Sequence, residues 1–108
     1  MTTKIVEELR KRVIKSFLDI LILVELKKGC ISGYDVLSRI HKKYGVLMSS
    51  GTVYSMLYSL ERNGLIRGTW NQRKRVYTLT EKGKQDMQIV TKANKEIQSF
   101  LINVSSLS

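Results

Sequence analysis

From Ser49 to Thr80 the apolar residues change period from helical to alternating, and this change constrains the fold more than any other feature. Val53, Leu57 and Leu60 recur at helical spacing with Met56 beside them, which predicts a helix starting near Ser50. Its opposite side carries Thr52, Ser55, Ser59 and Arg62, with Tyr54 and Tyr58 on the flanks. Asn63-Gly64 is a helix stop. Leu65 to Trp70 and Arg75 to Thr80 then alternate like strands, and Asn71-Gln72-Arg73-Lys74 fits a four-residue hairpin loop. A helix able to lie in a groove, beside a cationic loop able to reach a phosphate backbone, is an arrangement for reading duplex DNA.

Charge agrees with that reading. The 108 residues include 19 Lys and Arg against 9 Asp and Glu, a formal net charge of +10, which attracts polyanions such as nucleic acid or an anionic membrane surface. A chain of this length supports one domain with a modest core. The single cysteine, Cys30, has no intramolecular partner, and no Cys/His spacing suits zinc; a reducing, cytoplasmic setting is expected. The amino terminus lacks the pattern of a signal peptide. Phe17 to Leu26 is the most apolar run, but it is short and carries Asp19 and Glu25, so it reads as a buried helix and no membrane partner is expected.

The rest of the chain reads as helices. From about Lys4 to Lys28, Ile5, Leu9, Val13, Phe17, Ile20, Leu21 and Val24 recur at helical spacing, and Gly29 stops the run. Cys30, read as a small core residue, and Ile31 form a connector or a one-rung strand. Ser32 is a candidate N-cap with Asp35 in the first turn of a second helix, which buries Val36, Leu37 and Ile40 and ends at Gly45. His41 has no carboxylate or cysteine partner in sequence, so no ligand role is assigned to it.

Thr80 is expected to cap a last helix reaching about Val104. Met87, Val90, Asn94, Ile97, Leu101 and Val104 follow one another at spacings of three and four, a coiled-coil seam with one polar position. From Gln85 onward Lys92 and Lys95 balance Asp86 and Glu96, so this helix suits a protein partner. The predicted fold is mainly α with a small β-hairpin wing, a winged helix-turn-helix, plus a C-terminal dimerisation helix. Residues 1–80 are assigned to DNA binding, including the N-terminal helix, and 81–108 to dimerisation.

Five short motifs occur in order: Ser32-Gly33-Tyr34-Asp35-Val36, Gly51-Thr52-Val53-Tyr54, Leu60-Glu61-Arg62-Asn63-Gly64-Leu65-Ile66, the hairpin, and Arg75-Val76-Tyr77-Thr78-Leu79-Thr80-Glu81-Lys82-Gly83. Over about residues 10 to 90 this order and spacing resembles the PadR family of transcriptional regulators, and the tail fits its small members with one C-terminal helix. The resemblance implies a dimeric winged-helix repressor that binds a palindromic operator and is often released by a small ligand. Two positions depart from it: Ser55 and Ser59 stand where the family often has proline and a basic residue.

Beside that resemblance, the candidate DNA-binding residues are Ser50, Thr52, Tyr54, Ser55, Tyr58, Arg73, Lys74 and Arg75. Each has a plainer reading. Ser50 and Thr52 can serve as capping residues, Tyr54 as a flank between helix and wing, and Arg75 as packing along the hairpin with its head in water. Trp70 either packs along the hairpin or lines a pocket for a small hydrophobic effector. No cofactor is expected, and nothing in the chain suggests an enzyme: paired carboxylates, a His/Cys/Asp constellation and a glycine-rich phosphate loop are all missing from the sequence. The expected partners are double-stranded DNA and a second copy of the chain. Two other classes use the same residues, a nonspecific architectural nucleic-acid binder and a protein-interaction module.

Overall fold

A computed structural model of the protein describes residues 3–105. The first helix, α1 (Lys4–Ser16), is capped by Thr3, whose hydroxyl accepts from the Val6 amide at 3.3 Å. It ends at Phe17, where the backbone leaves helical geometry (φ −105°, ψ 15°), and α2 (Leu18–Lys27) begins at the next residue. The single helix expected from Lys4 to Lys28 is therefore two. Ile5, Leu9, Val13 and Phe17 are exposed, whereas Leu18, Ile22, Leu23 and Leu26 fill the core. The spacing could not choose this face, because α2 is apolar on nearly every side.

Glu25 is buried on α2, where a carboxylate needs charged partners. It has two: Lys28 Nζ at 3.2 Å and Lys43 Nζ at 3.5 Å, the second tying α2 to the end of α3 (Gly33–Tyr44). Cys30 is exposed, contrary to its expected place in the core. It lies in the irregular connector before β1 (Ile31–Ser32), and burial begins only at Ile31. Ser32 ends β1 and caps α3, accepting from the Asp35 amide at 3.1 Å. Gly45 closes α3 with a positive φ of 68° that a side chain would disfavour. Of the three residues expected to be buried on α3, Val36 and Ile40 are fully so and Leu37 partly.

Val46 and Met48 anchor the connector to α4 (Ser50–Arg62), which buries Val53, Leu57 and Leu60 as its spacing required. The wing is β2 (Ile66–Asn71) and β3 (Lys74–Leu79). Asn71 pairs with Lys74, so the turn is Gln72-Arg73, two residues and not the four expected. Gln72 supplies the positive φ (59°) that two-residue hairpins demand, a strain not readable from residue type. β1 pairs antiparallel with β3, Ile31 opposite Tyr77, giving a three-stranded sheet in the order β1-β3-β2.

α5 (Glu81–Ser105) starts where expected. The Thr80 hydroxyl accepts from the Gly83 amide at 3.1 Å and donates to the Gly64 carbonyl at 2.6 Å, joining α5 to the turn after α4. Met87 completes the core, Val90 is half-buried and Asn94 is exposed. Ile97, Leu101 and Val104 lie on the α5 backbone, but their side chains fall outside the described residues. Among the described residues no helix is long and apolar enough to cross a membrane, and no cluster of His, Cys, Asp or Glu could hold a metal ion.

Gly83 gives a direct test of this packing. A β-carbon there would collide with the Leu65 carbonyl oxygen, a backbone atom with no freedom to move aside, whereas one on Gly51 would meet open space. Gly83→Ala should cost about 1–3 kcal/mol. Gly51→Ala should be neutral or stabilising by about 0.5 kcal/mol through helix propensity. Urea midpoints of the two variants check this; equal midpoints would mean that α5 is not seated against Leu65.

Candidate nucleic-acid interface

With Val53, Leu57 and Leu60 pinned inward, helical geometry dictates what α4 shows to solvent. The Ser49 hydroxyl accepts from the Thr52 amide at 3.2 Å and lies 2.8 Å from the Thr52 hydroxyl. These two hydroxyls are the cap. Ser50 is the first helical residue and is exposed without a capping role. Two outward stripes follow. Thr52, Ser55 and Ser59 form a hydroxyl stripe; Gly51, Tyr54, Tyr58 and Arg62 form an aromatic and cationic one.

Tyr54 is 42% exposed and rests on the start of α3. A β-carbon on Gly33 would lie 2.6 Å from its ring, so that glycine is what lets the ring lie flat there. Tyr54 is thus both packed and accessible, which merges the two readings of it. Tyr58 is 65% exposed, with the Arg62 guanidinium 5.4 Å from its ring centroid. Arg62 and the exposed Tyr34 are additions to the candidate set. The helical stripe already contained Arg62; Tyr34 enters because it follows Gly33, the residue on which the Tyr54 ring rests.

The three wing cations divide. Arg73 in the turn and Lys74 at the start of β3 are exposed at the hairpin tip. Arg75 is held by a carboxylate: its Nη2 donates to Glu61 Oε2 at 2.9 Å, and the same oxygen accepts from the Gly68 amide at 3.2 Å. Cross-strand from Arg75 is Trp70, whose exposed ring lies 5.4 Å from the guanidinium carbon. Arg75 therefore packs along the hairpin, and Trp70 with it. Burial pushes the Tyr77 phenol up, opposed by the Arg75 guanidinium and reinforced by Glu61, so the ring stays neutral beneath this cluster. Sequence reasoning gave Glu61 no role, because it reaches Gly68 and Arg75 only after the chain reverses at the wing.

The result is one helix with an open polar face, flanked by a hairpin bonded to it through Glu61, whose tip carries the exposed cations Arg73 and Lys74. That geometry suits a helix in a DNA groove and a wing on the backbone. Comparison with known proteins points the same way. A transcriptional regulator from Clostridium thermocellum is 27% identical, with a TM-score of 0.72 over 85% of this chain and 92% of that one. A PadR family transcription regulator from hypervirulent Clostridium difficile R20291 is 24% identical, with a TM-score of 0.74 over 82% and 97%, a likeness of fold. Bacillus subtilis PadR, whose structure is of a complex with operator DNA, is 35% identical with a TM-score of 0.57 over 66% of this chain and 44% of that one. No curated protein matches the chain. The profile of the transcriptional regulator PadR-like family matches residues 22–89, well over half the sequence, and the chain belongs to that family.

Proposed function

We propose that the protein is a dimeric repressor that binds a palindromic operator, with α4 in the major groove and the wing on the flanking backbone. The observation that carries this reading is the α4 face. Its apolar side is fully engaged, while Ser50, Tyr54, Ser55 and Tyr58 stay exposed beside Arg73 and Lys74. Thr52 adds a capped hydroxyl at the same end. Membership of a transcriptional-regulator family supports it, as does the similarity to a PadR bound to its own operator.

Dimerisation is supported by apolar surface that one chain leaves uncovered. α1 has no buried residue, and Ile5, Val6, Leu9 and Val13 are between 47% and 72% exposed. On α5, Ile89 is 66% exposed close to Val90 and Asn94. Residues 81–108 are accordingly assigned to pairing and 1–80 to DNA, with α1 also lying against the partner's tail. Met87 belongs to the core of the first unit while starting the seam of the second. An effector fits the same scheme. A depression between α2, β3 and α5 has an apolar floor of Leu26, Leu79 and Met87, and a small hydrophobic molecule there would bear on the pairing helix.

Three outcomes are expected. Two symmetric helices on one face of a duplex must enter major grooves about one turn, roughly 10 base pairs, apart or a multiple of that. Inserting about five base pairs between the halves of a selected site should nearly abolish binding of the dimer; tight binding that survives insertion would favour a nonspecific architectural role. Leu9→Asp combined with Val13→Asp should halve the mass seen by light scattering, and a persistent dimer would remove α1 from the pairing surface. Neutralising Arg73 and Lys74 together should lower the slope of log affinity against log salt by about one unit for each phosphate no longer neutralised, alike on all duplexes. An unchanged slope would take the wing off the backbone.

A further inference from the structure

We propose that the basic side of α1, at Lys11, Arg12 and Lys15, is a second phosphate-backbone site, on the opposite flank of α4 from the wing; this rests on the DNA-binding reading above. Lys15 borders the hydroxyl stripe of α4, lining one groove with Ser49, Thr52, Ser55 and Ser59. In an adjoining groove it joins Lys11 and Arg12 along the connector from Val46 to Ser49, at the amino end of α4. Glu8 is the one carboxylate lining that second groove, against three cations. The exposed apolar residues Ile5, Leu9 and Val13 recur every four positions on a side of α1 away from Lys11 and Lys15, with Arg12 at the border between the two. One helix thus offers an apolar side to a partner chain and a basic side to DNA.

Three features make this more than a solvated charge run. The ion pairs among the described residues take Lys28, Lys43, Arg75 and Lys84, and none takes Lys11, Arg12 or Lys15. The groove lies at the positive end of the α4 dipole, so free cations there raise the electrostatic energy until an anion arrives. The first turns of α1, α2, α3 and α5 each carry a carboxylate, whereas that of α4 carries none. A major groove, moreover, is bordered by two phosphate strands. The wing meets α4, through Arg75, on the side of Tyr58 and Glu61; on α1, Lys15 meets it on the side of Thr52, Ser55 and Ser59. A helix seated between them would have one cationic element for each strand.

The test measures binding of the full-length chain to a selected duplex and to a random duplex of equal length across a salt series. Lys11→Gln, Arg12→Gln and Lys15→Gln combined should lower the salt slope by about two to three units on both duplexes. Arg10→Gln, the same charge change at a residue that lines neither groove, should leave the slope within error. Lys15→Arg should retain what Lys15→Gln loses, and the single variants keep the test decisive if the triple variant folds poorly. An unchanged slope in the α1 variants, with a lowered slope for Arg73→Gln plus Lys74→Gln, would overturn this site and leave the DNA-binding reading intact. Failure of the unmodified chain to bind any duplex would overturn both.

Discussion

A ten-residue helix with apolar side chains on almost every side is stable in water only if it is surrounded, and α2 is surrounded. It packs against α1, α3, α4, β3 and α5, so every layer of the domain is positioned by reference to it. Ile22 and Leu23 are buried in the same core as Leu57 of α4 and Met87 of α5. The polar exception, Glu25, is buried near the end of α2 and held by Lys28 and Lys43. That pairing joins the carboxyl ends of α2 and α3 at a point where an uncompensated charge would be costly. The outward face of α4 follows from this arrangement: once its apolar side is locked onto α2, its hydroxyls and tyrosines have only solvent or a ligand to meet.

The wing depends on a different kind of constraint. A two-stranded hairpin is marginal in water by itself. Here it gains β1 as a third strand and a carboxylate clamp from α4. Glu61 Oε2 bonds one atom from each wing strand, the Gly68 amide of β2 and the Arg75 guanidinium of β3. A β-carbon on Gly68 would lie 2.8 Å from the Arg75 side chain, so the absence of one is what allows the guanidinium to cross the strand. The angle between α4 and the wing is therefore set inside one chain before any DNA is present. Such preorganisation lowers the ordering cost of binding.

Cations and apolar side chains left at the surface divide the remaining labour. Arg75 serves the hairpin, Lys43 and Lys28 serve Glu25, and Lys84 pairs with Glu81 at the start of α5. Among the cations outside these pairs, Arg73 and Lys74 stand at the wing tip and Lys11, Arg12 and Lys15 on α1, beside the amino end of α4. On α1 the uncovered Ile5, Leu9 and Val13 lie on another side from Lys11 and Lys15, so the proposed pairing with a second chain and the proposed contact with a polyanion need not compete for the same surface.

The sequence alone determined the elements that rest on local chemistry. The Ser32 and Thr80 caps, the Gly45 stop, the inward face of α4 and the two wing strands all follow from spacing and capping within a few residues, and all are present. The identity of the family was legible for the same reason, since its motifs are runs of adjacent residues. Only the tertiary structure decided the break at Phe17, the exposure of Cys30, the two-residue turn and the withdrawal of Arg75 onto Glu61. In α2, nearly uniform hydrophobicity carries no phase, so the buried face is chosen by what packs around it. Glu61 and Arg75 are fourteen positions apart, and their contact exists only after the chain reverses at Gln72-Arg73. Spacing reports what lies along one helix or strand; which charges meet, and which are left for a partner, is settled where separate elements come together.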